Sequence, residues 1–134
     1  MWFAATGIIQ YFDGGSKPHK AWVLVDPELA RFYRALIPPW IPTNQQRYPA
    51  HISFVRKITP ANLDVWGKHE GRQVAFQYEN VLYNDERYWW LNVVSPDIEA
   101  IRTELGMPPV GPTTWSPNNQ HRFHCTVANT KELK

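Results

Sequence analysis

The chain has 134 residues, with 14 Lys and Arg against 12 Asp and Glu and a formal net charge of +2. That length suits one domain with its own core, and that charge excludes broad electrostatic capture of a long nucleic-acid duplex. The lone Cys125 excludes an internal disulfide and Cys-based zinc spacing, and fits a reducing, cytoplasmic compartment. Seven Trp, six Tyr and six Phe supply a core and leave some rings for a stacking surface.

From the start of the chain, Met1 to Gly7 lacks a basic leader with an apolar core and cleavage site, and no run reaches membrane-spanning length. The protein is therefore expected to be soluble and unprocessed. Gly7 to Phe12 and Ala21 to Val25 alternate as strands about a turn at Asp13-Gly14-Gly15-Ser16. Asp26-Pro27-Glu28 then predicts a helix start: a cap, a proline in the first turn and an acid at the positive end. Leu29, Phe32 and Leu36 form the stripe expected to face the core, and Pro39 closes the helix. The Pro38 to Pro49 segment is a loop leading to a strand at His51 to Val55. Thr59-Pro60 predicts a further short helix through Leu63 and Trp66 to Gly67, bridging two halves.

The second half repeats the first. Val74 to Tyr83 and Tyr88 to Val94 are strands about a turn near Asn84-Asp85; Ser95-Pro96-Asp97 starts a helix; Ile98, Ile101 and Leu105 are its stripe and Pro108 its stop. A loop over Pro108 to Gln120 leads to the strand His124 to Ala128. The expected fold class is α+β, built from two pseudo-symmetric hairpin, helix, strand halves (about 1–58 and 72–130) with antiparallel sheets around a central cleft.

Each half ends in the same pattern: His51-Ile52-Ser53-Phe54-Val55 and, 73 positions later, His124-Cys125-Thr126-Val127-Ala128. Strand alternation puts His51 and Ser53 on one face, and His124 and Thr126 on one face, with apolar residues and Cys125 behind. One His-x-Ser on a strand is ordinary. Two copies closing equivalent repeats point to a shared site across a cleft. Two imidazoles near neutrality supply one proton acceptor and one donor, and two hydroxyls bond the oxygens of a phosphoryl group as charge builds. Hydroxyls in place of carboxylates or thiolates disfavour zinc.

This duplicated pair resembles the signature of the 2H phosphoesterase superfamily, the LigT-like phosphodiesterases, and the element order resembles that family's bilobal fold over nearly the whole chain. The resemblance implies a phosphodiesterase that needs no metal and no cofactor and acts on RNA-type phosphodiesters: 2′,3′-cyclic phosphates, 2′-5′ linkages and cyclic nucleotide signals. It implies His51 and His124 as the acid and base, and Ser53 and Thr126 as phosphate ligands. Ser53 stands where Thr is commoner and keeps the hydroxyl. The short chain is similar to compact viral members, some of which destroy cyclic oligonucleotide alarm signals in the host cytoplasm.

Around this site, Tyr11 is either a residue that stacks on a base or donates to phosphate, or a half-buried strand aromatic. Trp89 lies opposite Tyr88 and Trp90 by alternation, and one face of that run is a candidate base platform. Trp115 is a lid candidate. Arg122, with Arg47, Arg56, Lys57 and Lys131, is a candidate for phosphate charge, though most of these are expected on the solvated surface. His121 is placed at the mouth of the site, His19 and His69 in exposed turns, Asn129 at a strand end, and Cys125 away from the catalytic face. The expected partner is a small cyclic or 2′-5′-linked nucleotide, without long duplex or membrane. Processing of RNA termini at 2′,3′-cyclic phosphates, and a protein that sequesters a nucleotide without turnover, remain the alternatives.

Overall fold

Alternation divides most strands into an apolar face and a mixed one, and that division shapes the molecule. The computed structural model describes residues 1–12, 19–44, 46–56, 58–85, 87–109 and 123–130. The chain runs β1 (Trp2–Phe12), β2 (Lys20–Leu24), α1 (Pro27–Arg34), β3 (His51–Val55), a 3-10 turn (Leu63–Val65), β4 (Gln73–Glu79), β5 (Tyr83–Asn84), β6 (Tyr88–Val94), α2 (Pro96–Glu104) and β7 (Phe123–Asn129). This is an α+β fold with a mostly antiparallel sheet. Its strand order is β4-β1-β2-β3-β7-β6-β5, and a further pairing of β4 with β6 closes six of the strands into a ring.

The ring reads the same from either half. From β1 it passes through β2 and β3 to β7; from β4 it passes through β6 and β7 to β3. The two halves therefore meet twice, at β1 with β4 and at β3 with β7. At the first seam seven consecutive pairs run from Trp2 opposite Glu79 to Ile8 opposite Gln73. At the second seam Ile52 lies opposite Cys125. Gly7 sits where β1 approaches β2 so closely that a Cβ would fall 2.4 Å from the Leu24 carbonyl oxygen and 2.4 Å from Val23 Cγ1. Any larger residue there would push the two strands apart.

Both helices start as their capping residues require. The Asp26 carboxylate accepts the Glu28 amide at 2.9 Å, and the Ser95 hydroxyl accepts the Ile98 amide at 3.2 Å, with proline in the first turn of each helix. Ser95 also donates to the Ala75 carbonyl at 2.7 Å, which fixes α2 to β4. α2 ends before Pro108: the Gly106 amide bonds Thr103 O and the Met107 amide bonds Arg102 O, with Gly106 at φ 79°. That paired closure needs a left-handed residue, and glycine supplies it. α1 ends at Arg34, also ahead of its proline.

Three expectations are corrected. The buried residues of α1 are Ala30 and Tyr33, followed by Ile37 just beyond the helix; of the expected stripe Leu29 packs half-buried against the core, but Phe32 is 61% and Leu36 58% exposed. The two stripes differ by one residue along the helix, a shift that periodicity alone does not resolve. The α2 stripe of Ile98, Ile101 and Leu105 is buried as expected. The helix after Pro60 is only the 3-10 turn, because Asn62 is committed elsewhere: its amide and side chain donate to Leu105 O and Glu104 O, satisfying the end of α2. β4 stops at Glu79, and the hairpin partner of β6 at the second turn is the separate β5. The turn at residues 13–16 lies outside the described residues.

The apolar faces of both halves share a core containing Ile9, Val23, Ile52, Phe54, Val74, Phe76, Val93, Phe123 and Cys125, against which α2 packs through Ile98, Ile101 and Leu105. A second cluster joins α1 to the far end of β7 through Ala30, Tyr33, Val127 and Ala128. Arg102 is buried and, among the described residues, pairs with no carboxylate; it donates to Phe54 O at 2.6 Å and to Pro108 O at 2.9 Å. One guanidinium thus holds α2 to the strand that carries His51.

Candidate functional site

Ile52 and Phe54, with Phe123, Cys125 and Val127, are fully buried, so alternation turns His51, Ser53, His124 and Thr126 together onto the other face, where all four are half-buried. The register fixes their arrangement. Counting antiparallel from Ile52 opposite Cys125 sets His51 against Thr126 and Ser53 against His124. Cys125 is also 73 residues after Ile52, the spacing of the two motifs. The local two-fold axis of the strand pair therefore passes between Ile52 and Cys125 and exchanges His51 with His124 and Ser53 with Thr126. The histidines occupy one diagonal and the hydroxyls the other, with Cβ atoms on a diagonal about 7–8 Å apart in such pairs.

His51 has a defined tautomer. Its Nδ1 lies 2.7 Å from Pro49 O, and because a carbonyl only accepts, Nδ1 carries the proton and Nε2 presents its lone pair. Burial pushes the His51 pKa down from its ordinary value; the Pro49 bond raises it, and the positive charges of Lys20 and Arg56 lower it. Cys125 lies on the core face, and its burial pushes the thiol up to about 12, so it is a protonated core residue.

A tryptophan stands opposite each motif hydroxyl: Trp22 against Ser53 and Trp90 against Thr126. Both are nearly buried, and both indole N–H groups are bonded to amides, Trp22 to Gln10 Oε1 at 2.8 Å and Trp90 to Asn92 Oδ1 at 3.0 Å. Trp22 stacks on the His51 ring at 4.2 Å with 30° between the planes. Asn92 stands opposite His124, and its amide reaches Glu79, which also accepts from the Tyr83 hydroxyl. Lys20 lies on the same wall, its Nζ 4.8 Å from the Phe12 and Trp22 rings and 5.5 Å from Tyr48.

The register shifts at Ala21/Trp22 in β2 and at Trp89/Trp90 in β6, one bulge at the equivalent place in each half. Trp89 packs with the second core cluster, opposite Ala128, while its neighbour Trp90 faces the motif. Tyr11 likewise belongs to the core, edge-on to Phe54 and Trp66 and opposite Ala21. The half-buried strand aromatic is therefore the reading that holds for Tyr11. Trp22, Trp90, Lys20, Gln10 and Asn92 were legible only by pairing each hairpin strand with its motif strand.

Arg47 and Arg56 are exposed. His69 is half-buried and not in an exposed turn: it pairs with Glu104 at 2.9 Å, and Arg72 bonds its other ring nitrogen at 3.2 Å. Asn129 holds the end of β7 by accepting from the Asn44 side chain at 2.7 Å. Trp115, His121, Arg122, Lys57 and Lys131 lie outside the described residues. Among the described residues, no three His, Cys, Asp or Glu side chains come together as a metal set, and no helix is long and apolar enough to cross a membrane. No family model, curated protein or solved structure matches the chain.

Proposed function

We propose that the chain is a phosphodiesterase of the 2H type, with the bilobal fold of that superfamily, and cleaves small RNA-type nucleotides without a metal. The observation that carries this reading is the two-fold relation of His51 with His124 and of Ser53 with Thr126 about the Ile52 and Cys125 pair. In-line displacement at a phosphodiester has the same symmetry. The attacking and leaving oxygens are apical, and the two non-bridging oxygens and the remaining ester oxygen are equatorial. A two-fold axis along that last bond exchanges the apical pair and the non-bridging pair. One diagonal of the site thus serves proton transfer and the other serves charge. A monoester would present a third non-bridging oxygen, for which the symmetric set has no further member.

His51 is the proton acceptor, because its Nε2 lone pair is free and its imidazolium is disfavoured. With a 3′-5′ linkage, Nε2 takes the proton of the 2′-hydroxyl, O2′ bonds phosphorus, and the P–O5′ bond breaks as His124 protonates O5′. The products are a 2′,3′-cyclic phosphate and a 5′-hydroxyl. With a 2′,3′-cyclic phosphate as substrate, Nε2 takes a proton from water, the water oxygen bonds phosphorus, and the P–O2′ or P–O3′ bond breaks as His124 protonates the departing oxygen. Small cyclic oligonucleotides and 2′-5′-linked nucleotides, of the kind used as immune signals, suit a net charge of +2 better than long duplexes do.

The test is turnover, with chelator present, of a panel of cyclic di- and trinucleotides, linear 2′-5′ and 3′-5′ oligonucleotides, 2′,3′-cyclic mononucleotides and 2′-deoxy counterparts of the 3′-5′-linked members. Cleavage of at least one ribose substrate is expected, with Ser53→Ala and Thr126→Val each slowing it about 10²-fold. A protein that binds a panel member tightly and leaves it intact would be a sequestering protein instead. Preference for a 2′,3′-cyclic phosphate at an RNA terminus would make end processing the activity.

A further inference from the structure

The two-fold axis makes the histidines formally interchangeable, yet only one can start as the base, so some feature outside the motifs must tell them apart. We propose that Lys20 and Trp22 are positioning residues, holding the His51 ring in place and in its neutral form so that His51 is the proton acceptor of the pair. This rests on the two-histidine reading of the site.

The geometry has three parts. The Trp22 indole lies against the imidazole at 4.2 Å, nearly parallel to it. Trp22 is itself fixed, 6% exposed, by its N–H bond to Gln10 on β1 and by the edge of Phe12 at 4.7 Å. Lys20 is held over the same indole and over Phe12 and Tyr48, which keeps a cation close to His51 without a bond to it. A ring pinned on one side by Trp22 and tied at Nδ1 to Pro49 O has one direction left for Nε2.

The charged and titratable groups around His51 come from each adjoining element: Lys20 on β2, Arg56 at the end of β3, Tyr48 in the preceding segment and His124 on β7. Lys20 and Arg56 both oppose a proton on His51. Of these two, Arg56 is exposed, where solvent screens it, whereas Lys20 is half-buried against three rings. Lys20 therefore has the larger say in when His51 ionises. Trp22 is also unavailable as a base platform while it holds the imidazole, which separates this stack from any aromatic residue that meets substrate.

The experiment is an NMR titration of the His51 imidazole, identified by its loss in His51→Ala, run on the intact protein, Lys20→Met, Lys20→Arg, Trp22→Leu and Trp22→Phe, alongside pH–rate profiles. Removing the cation should raise the His51 midpoint by about half a pH unit and move the acid limb of kcat/KM up with it. Lys20→Arg should restore both. Trp22→Leu should lower kcat about tenfold with little change in KM, and Trp22→Phe should recover most of the loss. An unchanged His51 midpoint in Lys20→Met would overturn the proposal, whatever the turnover. So would a Trp22→Leu protein with undiminished kcat. If the midpoint moves but the intact protein cleaves no phosphodiester, the stack stands as a physical device and the catalytic role assigned to it falls.

Discussion

At the scale of single residues, the site depends on which face each side chain takes and which atom carries its proton. His51 is set by a carbonyl at Nδ1 and a ring against its plane. The depressed His51 pKa links stability to pH. In the unfolded chain His51 titrates near its ordinary 6.5, while in the folded protein it takes a proton only at lower pH. The contribution is therefore fully present above 6.5 and is lost as pH falls through the window between the unfolded and folded values. Urea midpoints measured from about pH 7.5 to about pH 5.5 should decline, and more steeply in the intact protein than in His51→Gln. Equal slopes would mean that the folded site does not resist protonation.

At the scale of elements, the repeat, the helix starts and the motif strands were legible in the sequence because each rests on local chemistry. Asp26-Pro27 and Ser95-Pro96 each join a capping side chain to a first-turn proline, and two His-x-Ser/Thr strands need only alternation to put four polar groups on a face. What local reading missed turns on single-residue offsets. Alternation from Gly7 leaves open whether Tyr11 or Phe12 faces the site, and the pairing of Tyr11 with Ala21 decides it. The pairing of Trp90 with Thr126 puts Trp90, and not its neighbour Trp89, beside the motif. The α1 stripe slipped by one residue for the same reason: Phe32 and Leu36 are apolar but belong to the exposed side. Replacing either by Lys should change stability by no more than ~0.5 kcal/mol. Ile101→Ala in α2, which opens a cavity in the shared core, should cost about 2–5 kcal/mol. Chemical denaturation of the three variants checks both figures.

At the scale of the whole molecule, closing the ring is what turns two ordinary strand motifs into one site. The long seam of β1 with β4 and the short one of β3 with β7 complete the edges that each half would leave unpaired. The second seam is the one that brings the two motif strands side by side. The pairing of β3 with β7 takes one motif strand from each half, and the sequence could show the duplication but not the meeting. If that meeting is the source of activity, the two histidines form a single machine, and losses from removing them do not add. The most direct measurement is the cleavage rate, on the best substrate of the panel, for His51→Ala, His124→Ala and the double variant. Each single change should lower the rate about 10²- to 10⁴-fold, and the double variant should be little slower than the slower single one. Losses that multiply, or a single variant that retains full activity, would contradict a site in which both histidines act on one phosphorus.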